Sequence, residues 1–139
     1  MRDNIHAFGG DRDQITIFGE STGSVSVSTH ILSPQSKGLF KRAIMESGAL
    51  MFNKARDPIS TSEALLMARN TAKHFNCSDS DDWLRCLRAI DGHDLLSLDY
   101  LITVPVFGTE YLPLTAQKAF ESKTFNSGMI CNTITLVIN

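Results

Sequence analysis

The sequence predicts an α/β fold with a parallel sheet, and three observations predict it. Gln14 to Phe18, QITIF, is a short apolar, β-branched run bounded by Asp13 and Gly19, the mark of a buried strand. A Gly19-Glu20-Ser21-Thr22-Gly23 turn follows it directly, and Lys41 to Met45, KRAIM, is a second strand, closed by Ser47-Gly48. Beyond these the middle of the chain reads as helical. Strand, turn, helix, strand and then several helices is the order of an α/β fold.

Taken in order, residues 1–10 read as the frayed end of a helix closed by a Gly9-Gly10-Asp11 turn, a beginning that suggests a chain cut from a longer one. After Gly23, Val25, Thr29 and Leu32 share one face at helical spacing, with Ser24 and Ser28 on another, until Ser33-Pro34 stops the element. A rival reading takes the period-two alternation of Ser24 to Ser28 as a strand. Ser60-Thr61-Ser62-Glu63 is a capping box, ahead of Leu65, Ala68, Ala72 and Phe75 at helical spacing. Trp83, Leu87 and Ile90 repeat that spacing, and a short helix is expected over Asp94 to Leu98. VPVFG at 104–108 is a strand or extended turn, Thr115 caps a helix through Phe120 to Lys123, and 128–139 holds a last strand. No repeat, linker or low-complexity segment interrupts the chain.

The totals exclude several functions. The 139 residues carry a net charge of −2 with no basic cluster along the sequence, so nucleic-acid binding has no electrostatic footprint. No apolar run reaches the length of a membrane span, so membrane association could come only through parts outside this chain. The first residues lack the apolar centre of a signal peptide. Of three cysteines, Cys77 and Cys86 lie close together and Cys131 far away; two can pair and one is left over. No cofactor is implied.

If Ser21 is a nucleophile, its hydroxyl must project from a tight turn, glycines must flank it, and a helix must start behind it. The backbone N–H of Thr22 then points at a developing oxyanion. Gly19, Gly23 and the preceding strand meet these needs. The plain alternative is an ordinary turn serine.

The stretch NIHAFGGDRDQITIFGESTGSVSVSTHILSP, followed by GLFKRAIMESGA, resembles the type-B carboxylesterase and cholinesterase family. That family carries N-I-x-x-F-G-G-D, then F-G-E-S-A-G, then F-x-R-A-I-x-x-S-G. The match runs from Asn4 to Ala49 and continues more loosely to about Met129. The resemblance implies a partial α/β-hydrolase fold, with residues 1–139 a fragment of one such domain. It implies carboxylic ester hydrolysis through an acyl-enzyme, with Ser21 as nucleophile, Thr22 as oxyanion donor and a small-molecule ester as substrate. Glu20 matches the glutamate beside the nucleophile, where it would favour a cationic substrate, hold the histidine and water network, or be buried and paired. Thr22 replaces the usual alanine, and Glu46 the usual glutamine.

The family's acid, usually Glu, follows the strand that GMICN resembles, and its histidine comes later still; neither is found here. His6, His30, His74 and His93 match no catalytic position, and His30 is expected to be structural. The Gly-rich oxyanion segment would precede residue 1. The fragment alone is therefore expected to be inactive.

Cys77 and Cys86 fall on a disulfide of the family, with Cys131 a buried free thiol. A rival reading makes His74, Cys77, Cys86 and His93 zinc ligands, without the tight C-x2-C pairs usual for structural zinc. Asn76-Cys77-Ser78 is an N-glycosylation sequon. Disulfide, sequon and family together imply an extracellular or cell-surface location. Two other readings stay open. One is a non-catalytic, neuroligin-like adhesion or scaffold protein; the other is an unrelated α/β domain with a chance turn.

Overall fold

The structure, a computed structural model, describes residues 1–50, 58–77, 82–98, 104–128 and 130–134, the last stretch by its backbone. The chain divides into two compact units, Met1–Pro58 with Phe107–Asn139, and Ile59–Val106.

The first unit is built on a parallel sheet. Its strands are β1 (Thr16–Glu20), β2 (Arg42–Glu46) and β5 (Ile130–Ile134), in the order β1-β2-β5. Phe18 pairs with Ile44, and Ile44 with Asn132. Helix α1 (Thr22–Leu32) makes the crossover from β1 to β2, the connection that parallel neighbours require. The helical reading of residues 24–28 therefore prevails over the extended one. Five alternating residues are too few to outweigh eleven that bury Val27 and Ile31 on one flank and Leu32 on the other.

Both sequence-read strands shift: β2 by one residue, to Arg42–Glu46 from the expected 41–45, and β1 by two. Gln14 is used in a turn, its N–H bonding the Asp11 carbonyl at 3.2 Å, so β1 starts at Thr16 and runs on through Gly19 and Glu20. β1 is also not buried. Among the described residues it has β2 on one side and no strand on the other, and Thr16, Phe18 and Glu20 are exposed while Ile17 and Gly19 are half-covered. In β2, Ala43 and Met45 turn inward and join Val27 and Ile31 in a core cluster. Cys131 lies in β5; the burial expected for its side chain falls outside the described residues, as does the stretch 135–139.

A second cluster, Leu32, Leu50, Leu112, Ala116 and Ala119, packs the other flank of α1 against α5 (Ala116–Glu121). Thr115 caps α5 by accepting from the Lys118 N–H, as expected, but the helix ends at Glu121. Lys123 takes a left-handed φ of 56° instead of continuing it. At the amino end, Ile5–Phe8 is a single 3-10 turn closed by Gly9 at φ 75°.

The second unit holds β3 (Ile59–Ser60), α2 (Thr61–His74), α3 (Trp83–Arg88) and α4 (Gly92–Leu96). β3 pairs with β4 (Val106–Phe107) where the chain enters and leaves the unit. The capping box is present: Glu63 N–H donates to Ser60 Oγ, and the Ser60 N–H donates to the Glu63 carboxylate at 2.7 Å. Leu65, expected on the inner face of α2, is 53% exposed; Thr71 and Ala72 are the buried pair. Helical spacing sets which face a residue lies on, and burial needs a neighbour to cover that face. α3 stops at Arg88, short of Ile90, and α4 starts at Gly92 because Asp91 caps the His93 N–H. Arg69 lies over the Trp83 ring, 4.4 Å from its centre.

Candidate functional site

Ser21 occupies the one-residue bend between β1 and α1, with φ 52° and ψ −116°. These angles belong to the first central position of a type II′ turn, which glycine normally fills. Both sides of the bend are anchored. The Ser21 N–H donates to the Glu46 carbonyl at 2.9 Å, continuing the ladder from β1 to β2. Its own carbonyl accepts from the Val25 N–H at 3.0 Å, the first bond of the helix. The side chain caps nothing and the residue is exposed, so its hydroxyl is available.

The glycine argument applies to one flank only. A Cβ on Gly19 would stand 2.5 Å from the Gly23 carbonyl oxygen and 3.0 Å from its Cα, so β1 and α1 could not approach as they do. A Cβ on Gly23 would meet nothing within 4 Å. The expectation that both flanking glycines make room is corrected: Gly23 supplies the backbone that Gly19 must clear.

Thr22 is the first helical residue, and among the described residues no group accepts its N–H. The leading N–H groups of a helix lack intrahelical acceptors and lie at its positive end, so this one can serve an anion beside Ser21. Glu20 is exposed rather than buried and paired, and the register sets it beside Glu46 on the neighbouring strand.

A second bend was not anticipated. Ser47 has φ 57°, and the Gly48 after it lies against the first bend, where a Cβ would be 3.3 Å from the Ser21 carbonyl oxygen. Buried Ser24 donates its hydroxyl to the Gly48 carbonyl, and the Leu50 N–H donates to Ser28 Oγ at 2.8 Å. The i, i+4 serine pair was the visible signal for this attachment.

No histidine reaches Ser21 among the described residues. His30 Nδ1 instead meets Ser36 Oγ at 2.8 Å and the Tyr111 hydroxyl at 3.2 Å, with Tyr111 also bonded to Thr29 Oγ1 at 2.9 Å. His30 thus ties α1 to the loops around it.

In the second unit, Cys77 and Cys86 form a disulfide with Cα atoms 5.6 Å apart. Their sulfurs are bonded to each other, which removes the thiolates that the zinc reading needs. His93 is engaged by Asp91 at 3.0 Å, and His74 packs edge-on against Phe75. Asn76 is exposed at φ 56°; Ser78 of its sequon lies outside the described residues. No helix among the described residues is long and apolar enough to cross a membrane.

Comparison with known proteins agrees with this geometry. The sequence model of the Carboxylesterase family matches residues 1–135. Carboxylesterase 5A of Homo sapiens is 41% identical over 134 residues, covering 88% of this chain and 22% of that protein. Pyrethroid hydrolase Ces2a of Mus musculus is 40% identical over 129 residues, covering 91% and 23%. Acetylcholinesterase of Gallus gallus is 39% identical over 118 residues, covering 82% and 15%. The chain thus spans less than a quarter of the length of these relatives. With the bend at Ser21, the parallel sheet behind it and a match along nearly the whole sequence, this chain, a partial α/β-hydrolase fold, belongs to the Carboxylesterase family.

Proposed function

We propose that these residues are the nucleophile-bearing part of a single α/β-hydrolase domain that hydrolyses small carboxylic esters. The observation that carries this reading is the Ser21 backbone, held at φ 52° and ψ −116° between a strand and the start of a helix. Ser21 Oγ attacks the ester carbonyl carbon, the carbonyl oxygen takes the negative charge, and the Thr22 N–H donates to it. Collapse expels the alcohol and leaves Ser21 acylated; water then releases the acid. A serine hydroxyl needs a base to take its proton, and the described residues bring none to it. The 139-residue chain is therefore expected to turn over a nitrophenyl ester no faster than the same chain with Ser21→Ala. Loss of the base typically lowers turnover by about six powers of ten.

The protein works where disulfides persist. Cys77–Cys86 and the exposed Asn76 support an extracellular or cell-surface location. The test is labelling of the longer protein that carries this segment with a fluorophosphonate. A covalent adduct mapped to Ser21, and lost in Ser21→Ala, is the expected result. A folded protein that takes no label would overturn the enzymatic reading and favour an adhesion or scaffold role.

A further inference from the structure

We propose that the first unit carries a second site, for a small phosphate monoester with an aromatic or apolar group, at the end of the sheet opposite Ser21. Ser21 follows the last residue of β1. The loops before β1, β2 and β5 gather at the other end and line an open cleft of about 630 Å³, within the usual size of small-molecule sites.

Its charge is one-sided. Arg12 comes from the loop before β1, Lys37 and Lys41 from the loop before β2, and Lys123 from the turn after α5. Asp13 is the one carboxylate on the lining, and Arg2 already holds it at 2.5 Å. Among the described residues none of the four cations has a carboxylate partner. Four cations from three separate segments facing one cavity, in a chain of net charge −2, is a local inversion of the molecule's field. Like charges facing one cavity repel, and a multiply charged oxyanion relieves that repulsion. Phe40 and Phe125, both half-buried, supply apolar wall that a bare ion would leave unused. A doubly charged head joined to an apolar body fits both features. This site is independent of the ester-hydrolase reading and uses none of its residues.

Calorimetric titration of the full 139-residue chain with phenyl phosphate, and separately with inorganic phosphate, tests it at low ionic strength. One saturable site is expected, tighter for phenyl phosphate. The Lys37→Gln/Lys41→Gln double variant should bind about tenfold more weakly, about threefold for each exposed charge contact. Arg12→Gln should weaken binding by a similar single step. Lys73→Gln, on α2 of the second unit, should leave affinity unchanged, and all variants alter exposed side chains that the fold does not need. Absence of saturation, binding no tighter for phenyl than for inorganic phosphate, or equal loss in Lys73→Gln would each overturn the proposal.

Discussion

At Ser21 an L-residue holds angles that glycine adopts far more readily, and such a position typically costs about 1–3 kcal/mol. The bonds to Glu46 and Val25 on either side keep it there. Ser21→Gly should therefore raise stability by about 1 kcal/mol, read as a higher urea midpoint, while abolishing fluorophosphonate labelling. A destabilised Ser21→Gly would mean that the bend carries no strain. Gly19→Ala works in the other direction. Its methyl group would press on the Gly23 backbone, which cannot swing aside, and a loss of about 3 kcal/mol or more is expected in the same measurement. Gly23→Ala, with open space around it, should be much milder. The bend was legible in the sequence because a glycine, a serine and a strand fell in fixed order. The difference between the two glycines was not, since only the direction of approach of α1 decides which backbone is in the way.

Helix α1 is attached through buried serines as well as through its apolar residues. Ser28 Oγ accepts the buried Leu50 N–H, so Ser28→Ala leaves that donor unpaired and should cost about 1–3 kcal/mol in chemical unfolding. In α2 the cap carries comparable weight: Ser60→Ala should cost about 1 kcal/mol. Hydrogen bonds from the Ser60 hydroxyl and then its backbone N–H hold Glu63 below its ordinary value of 4.5. Its contribution to α2 is thus present above the unfolded value and disappears as pH falls through the lower folded one. Helicity lost by acidification in this window, and insensitive to pH there in Glu63→Gln, is the expected circular-dichroism result. The cap was readable because Ser and Glu three residues apart act locally. The inner face of α2 was not: Leu65 obeys helical spacing yet lies 53% exposed, because burial depends on what the rest of the unit can cover. The exposure of β1 has the same origin, since a β-branched run looks alike at an edge and in the middle of a sheet.

Across the whole molecule, the Cys77–Cys86 bridge closes a loop with a sequence separation of 9 in the second unit. Chain entropy for a loop of this length gives about 2–3 kcal/mol, so reduction should lower the thermal midpoint of this unit by several degrees. The order of elements and the parallel sheet could be read from residue pattern alone, whereas the pairing of β2 with β5 depended on contacts between distant parts of the chain. That pairing also bears on biosynthesis. On the ribosome β5 is made only after the entire second unit, so the side of β2 that β5 will pair stays open through that interval. A nascent chain in this condition invites strand-to-strand association between neighbours on a polysome, and chaperone capture during translation is the natural safeguard.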